Sequence, residues 1–228
     1  MKDRDQQAEQ GAVQTAAAFQ QEFKVSRETI ERLQIYHDLL LKWQKVQNLV
    51  APNTLSDVWS RHFTDSAQIY SLLPFKVKKP LTVIDMGAGA GFPGLVLAIL
   101  AAETTPNPLN MHLIEANGRK CAFLRDVARQ TGVHVDIHNC RIETFAIEST
   151  IPPIDVVTAR ALKPLSILLS LGEFAFSNEA MGLFLKGQSL DGELADAEKA
   201  WSFEAVVSKS MTDPSGRIVS LSKIKQRS

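Results

Sequence analysis

The stretch Gly87-Ala88-Gly89-Ala90-Gly91-Phe92-Pro93-Gly94 places four glycines in eight residues, between two apolar runs. The first run, Leu81-Thr82-Val83-Ile84-Asp85, is short and β-branched, as a buried strand is. The second, Leu95 to Ala102, is eight consecutive apolar residues, which reads as a buried helix. A strand that turns through glycines into a helix brings a helix N-terminus to the carboxyl edge of a sheet. Glycine lets that backbone approach a ligand with no Cβ in the way. Ligands of open α/β sheets bind at this edge.

The rest of the chain supplies the sheet. Met111 to Glu115, Val133 to His138, Ile154 to Thr158 and Met181 to Lys186 read as further strands. Helices are expected over Arg119 to Gln130 and Leu165 to Ala175. This alternation predicts an α/β fold with a parallel sheet covered on both faces. A helix near Leu190 to Ala200 and strands near Ala205 and Arg217 to Ser222 complete it. Upstream, Ser26 caps a helix running through Lys45, and Thr54 with Asp57 resembles the capping pair of a second helix reaching Leu73. Residues 1–25, rich in Gln, Ala and charge, are expected to form a flexible extension. Residues 26–80 form a helical segment with a linker from Pro74 to Pro80, and residues 81–228 the sheet domain.

Composition narrows the class. Twenty-five basic residues balance twenty-five acidic ones, so nucleic-acid binding requires local basic patches. Cys121 and Cys140 are too few for a disulfide framework. Eight apolar residues fall short of the ~20 that a membrane helix needs, and the N-terminus has no apolar signal run. The expectation is a cytoplasmic protein that spans no membrane.

Which ligand the loop takes is decided less firmly by the residues. Gly89-x-Gly91-x-x-Gly94 matches the dinucleotide fingerprint. Asp85 argues against a pyrophosphate there, because a carboxylate at the strand tip repels phosphate. It suits S-adenosylmethionine, which carries a sulfonium and an ammonium. Asp85, Gly87, Gly89 and Gly91 are therefore candidate cofactor contacts. Glu115, ending the second strand, can accept from ribose hydroxyls with either ligand, and the amides of Ile142 and Glu143 can border an adenine. His134, Asp136, His138 and Cys140 share strand parity, but side chains in line along a strand do not converge on a metal; no metal is expected. After the fourth strand stands Ala159-Arg160-Ala161, with Lys163 close by, in place of the Asn/Asp-Pro-Pro motif that holds an exocyclic amine.

At this point the chain resembles a known family. Lys42-Trp43 with Asn48-Leu49, Arg61-His62-x-x-Asp65-Ser66, the whole run Ile84 to Gly94 with its proline, Arg119-Lys120, Arg141-Ile142-Glu143, Ala159-Arg160-Ala161 and Leu185-Lys186-Gly187 follow in the order of the glucose-inhibited division protein B family. These are bacterial methyltransferases of small-subunit (16S) ribosomal RNA acting on guanine N7. The resemblance covers roughly residues 26 to 225. It implies a Rossmann-like class I S-adenosylmethionine-dependent fold with a mostly parallel seven-stranded sheet and an N-terminal helical segment. It implies cofactor contacts from Gly87, Phe92, Ile142, Glu143 and Arg160. Guanine N7 has a free lone pair and no proton, so no general base is expected. Candidate RNA contacts are Arg61, His62, Arg160, Lys163, Lys186 and the basic C-terminal stretch. The partner is the small-subunit RNA, naked or assembled, and the protein a monomer. A small-molecule methyltransferase, a nicotinamide-dependent oxidoreductase and a non-enzymatic binding protein remain the alternatives.

Overall fold

The computed structural model describes residues 13–227 apart from 76–78, 105, 107, 149 and 150. In chain order come α1 (Ala16–Phe23), α2 (Arg27–Gln44), a run of short helical turns from Pro52 to Leu72 that contains α3 (Asp65–Ala67), β1 (Leu81–Met86) and α4 (Gly94–Ala101). Next are β2 (Leu109–Ile114), α5 (Gly118–Thr131), β3 (Asp136–His138), α6 (Ile142–Glu148) and β4 (Val156–Arg160). The C-terminal part holds α7 (Leu165–Leu171), α8 (Glu173–Phe176), β5 (Met181–Lys186), α9 (Leu190–Ala197), β6 (Trp201–Lys209) and β7 (Arg217–Gln226).

The strands described form one sheet in the order β3-β2-β1-β4-β5-β7-β6. The first five are parallel; β7 runs antiparallel between β5 and β6. Strand order reverses between β1 and β4, which opens a crevice above their carboxyl ends. Every residue of β1 is buried, as expected of a strand covered on both faces. Leu81 and Val83 face a core shared with α1, α2, α4 and α5, while Ile84 and Met86 face a second core built from α6 to α9. Helix α4 is apolar all round and all eight of its residues are buried.

Three expectations change. The extension predicted over residues 1–25 does not hold for its second half. Ala16–Phe23 is a helix, and the fully buried Phe19 packs on Phe23 and Trp59 at ring-centroid distances of 4.6 and 5.8 Å. Residues 1–12 lie outside the described residues, as do 76–78 of the expected linker. The single helix predicted over 54–73 is broken: a 3₁₀ turn (Pro52–Asp57) leads into a π-helical turn (Trp59–Thr64). The wide π turn lets two consecutive residues face inward, His62 against Phe92 and Phe63 against Tyr36. Thr54 sits inside the 3₁₀ turn, where its hydroxyl donates to the Ala51 carbonyl instead of capping a helix. Finally, the helix predicted over 165–175 is split at Gly172 into α7 and α8. No helix among the described residues is long and apolar enough to cross a membrane.

Candidate active site

The glycine loop between β1 and α4 takes backbone angles that side chains resist. Gly87, Gly89 and Gly91 have φ of +66°, +57° and +90°. At Gly87 a Cβ would also meet Leu162 at 2.6 Å. The buried Tyr36 of α2 donates from its hydroxyl to the Ala90 carbonyl and stacks on Phe92 at 5.2 Å. The N-terminal helices thus pin the loop from behind.

In front of the loop lies a cavity of about 440 Å³, within the range of small-ligand sites. Gly87 and Gly89 form its floor. Glu115, Ile142 and Arg160 line it with Phe92. Glu115 accepts from the Gly89 and Asn117 amides at 2.9 and 2.8 Å, which fixes the carboxylate on the cavity wall. Three sequence candidates are not brought in, the first being Gly91, which does not line the cavity. Glu143 is exposed and does not line the cavity. Asp85 is buried behind the loop, its carboxylate accepting from the Gly94 amide at 2.9 Å and the Thr158 hydroxyl at 3.1 Å. It anchors the start of α4 instead of facing a ligand. Leu49, Val50, Lys120, Cys140 and Leu162, not singled out from the sequence as ligand contacts, also line the cavity. Their signal was weak because they come from four separate segments.

Arg160, at the tip of β4, is the hub. Its Nη1 donates to Asp65 at 2.9 Å and to the Arg61 carbonyl at 3.0 Å; its Nη2 donates to His62 Nδ1 at 2.7 Å. The guanidinium stands 5.0 Å from the Phe92 ring centre. Because arginine only donates, His62 Nδ1 is the acceptor. Its Nε2 then carries the proton and donates to Thr54 Oγ1 at 2.8 Å. Burial, then the Arg160 and Arg61 charges, push His62 down to about 3. His62 is therefore neutral and buried, which corrects its reading as a basic RNA contact. Lys186 is corrected too: its ammonium is taken by Glu193 at 2.5 Å and by the Lys163 carbonyl at 2.8 Å. Lys163 and Arg61 remain exposed. Asp65, in the same motif, was missed; it joins Arg160 to Gln68 and Thr212.

On the far side of Arg160 lies a second cavity of about 270 Å³, walled by Arg61, Asp65, Lys186 and the β6–β7 turn. Arg160 and Ala161 belong to both cavities. The histidines of the third strand build nothing comparable. His138 lies 3.1 Å from His112, and among the described residues no three His, Cys, Asp or Glu side chains converge as a metal set.

A profile of the GidB family, described as rRNA small subunit methyltransferase G, matches residues 29–220. The chain belongs to this family. A ribosomal RNA small subunit methyltransferase G of Rhodospirillum centenum is 47% identical over 212 residues, 93% of this chain and 92% of the relative. One from Rhodospirillum rubrum is 44% identical, over 92% and 98% of the two chains. Among solved structures, TrmK of M. capricolum, bound to the cofactor product S-adenosyl-homocysteine, superposes with a TM-score of 0.51 at 13% identity, over 69% of this chain and 67% of that one. That likeness concerns the fold, which is the class I S-adenosylmethionine-dependent methyltransferase fold. The GidB family's cofactor is S-adenosylmethionine, which overturns the nicotinamide alternative.

Two buried groups of this GidB-family chain set opposing pH dependences. Burial pushes Asp85 up to about 7, against the Gly94 amide, the Thr158 hydroxyl and Arg160. Between 3.8 and about 7 the folded chain keeps a proton that the unfolded chain has released, so stability falls as pH rises. Between about 3 and 6.5 the unfolded chain protonates His62 and the folded chain does not, so stability rises with pH. Asp85→Asn removes the first slope. Its Tm is expected to climb more steeply than wild type from pH 4 to 6 and to lack the wild-type decline toward neutrality. A Tm profile parallel to wild type in a thermal-melt series would overturn this assignment.

Proposed function

We propose that this chain transfers the methyl group of S-adenosylmethionine to N7 of a guanine in small-subunit (16S) ribosomal RNA. One observation carries the reading: two cavities share Arg160 and Ala161 as lining, and among the described residues no free titratable base stands at that junction. The first cavity suits the cofactor. Gly87 and Gly89 leave its floor open, Glu115 offers carboxylate oxygens to ribose hydroxyls, and Ile142 and Leu162 give apolar surface for an adenine. When bound, S-adenosylmethionine supplies an electrophilic methyl on a sulfonium. The residues then have to hold the acceptor nitrogen in line and keep water out, the positioning role that binding geometry can fill. No proton moves, because N7 carries none. Asp85 lies behind the loop and His62 Nδ1 is occupied by Arg160, so neither serves as a base.

Exposed Arg61 and Lys163, with the basic stretch of β7, supply the phosphate contacts in this reading. With two or three such contacts, RNA affinity is expected to fall roughly ten- to thirtyfold between about 50 and 200 mM salt. A filter-binding series that stays flat would remove these residues from the interface. We extend the reading to a cytoplasmic monomer, which light scattering on the purified chain checks for mass.

The decisive experiment is methyl transfer from labelled S-adenosylmethionine to small-subunit RNA, naked and within the subunit, prepared from cells lacking this protein. Chemical cleavage at N7-methylguanosine then maps the product. Label at one guanine is the expected result. Bound cofactor with no labelled RNA would move the reading to a small-molecule acceptor.

A further inference from the structure

The second cavity holds two carboxylates with different duties. Asp65 is saturated: one oxygen takes Arg160, the other Gln68 and Thr212. Asp213, in the β6–β7 turn, is not. Its Oδ1 accepts from the Ser215 amide and hydroxyl at 2.8 and 2.7 Å, but Oδ2 stands 3.5 Å from Arg61 Nη1, too far for a good hydrogen bond. The turn is closed by the Gly216 amide on the Asp213 carbonyl at 2.9 Å, so this carboxylate is presented from a fixed frame. Hydrogen bonds from the Ser215 side chain and backbone hold it below the usual carboxylate range. It is an acceptor only, with lone pairs to spare, facing a cavity that ends at Arg160.

We infer that this cavity receives the target guanine turned out of the RNA, and that Asp213 reads its Watson–Crick edge. The inference rests on the guanine-methylation reading above. Guanine N1–H and the 2-amino group are donors on the side of the purine away from N7. An acceptor at the Asp213 end therefore leaves N7 toward Arg160 and Ala161, which also line the cofactor cavity. Adenine would offer a lone pair at N1 and meet repulsion. Enzymes that act on a base commonly extrude it and read this edge. There is a catalytic corollary. The N7 lone pair forms the new N–CH₃ bond, the C–S electron pair stays on sulfur, and the purine becomes cationic. Its N1–H grows more acidic as that happens, so the bond to an ionised carboxylate strengthens in the transition state. Arg61, at the mouth of the cavity, would hold the phosphate of the turned-out nucleotide.

The test uses small subunits rebuilt with ligated RNA carrying either guanine or hypoxanthine, which lacks the 2-amino group, at the mapped target. Wild type is expected to favour guanine in kcat/KM by about tenfold or more, the size of effect that an unpaired polar group produces in a recognition site. In Asp213→Ala that preference is expected to collapse, because guanine loses more than hypoxanthine does. Affinity for the subunit, measured by filter binding, should change less than about twofold, since phosphates dominate it. Equal losses on both RNAs, or a guanine preference that survives in Asp213→Ala, would overturn the inference and leave Asp213 as a turn residue. If wild type methylates guanine RNA but shows no preference over hypoxanthine, this inference fails and the function stands. If wild type labels no RNA, the function itself fails.

Discussion

Arg160→Met is expected to lower kcat/KM for RNA methylation by about 100-fold or more and to destabilise the chain by roughly 3 kcal/mol, or about 6–12 °C in Tm. The two losses have separate origins. Stability falls because Asp65 Oδ2 and His62 Nδ1, both in partly or fully buried positions, lose their donor. Activity falls because the guanidinium over Phe92 forms the wall common to both cavities. Adding Asp65→Asn to Arg160→Met removes the stranded charge. Tm should then recover by several degrees while activity does not, as expected when coupled residues are changed together. Recovery of methylation along with Tm would mean that Arg160 acts only by holding the fold.

Gly91→Ala is expected to destabilise by about 3–4 kcal/mol and to abolish the thermal shift that S-adenosylhomocysteine gives wild type. At φ +90° any side chain is strained, and here a Cβ would lie 2.5 Å from Leu95 and 2.7 Å from the Tyr36 hydroxyl. Neither neighbour can retreat. Leu95 is fully buried, and Tyr36 is held to the Ala90 carbonyl. Gly132→Ala is the control. Its φ is +68°, but nothing lies within 4 Å of a Cβ there, so only backbone strain of about 1 kcal/mol is expected, with the ligand shift intact. Equal effects at the two positions would refute the packing argument. Melts with and without ligand measure both.

The parts of this molecule that local pattern governs were readable from the chain. The glycine loop, β1 and α4 follow from composition and order alone, because a covered strand and a covered helix must be apolar throughout. Glu115 was readable as the end of a strand. What was not readable depended on partners distant in sequence. Helix α1 has few large apolar residues, and Phe19 is buried only because Trp59 arrives from another element. His62 looks like a surface cation until Arg160, 98 residues on, becomes its donor. Lys186 looks available until Glu193 folds back from α9. Asp85 sits where a ligand-facing acid was expected, yet the α4 amide at Gly94 claims it.

The wall shared by the two cavities also bears on the order of events in a turnover. Because Arg160 and Ala161 border both spaces, whatever occupies one changes the free energy of filling the other, and linkage makes that effect reciprocal: RNA must tighten the cofactor by the factor by which the cofactor tightens RNA. Transfer moves the positive charge from the small molecule to the base, so the Arg160 guanidinium, which lines both spaces, faces a cation in one cavity before the reaction and in the other after it.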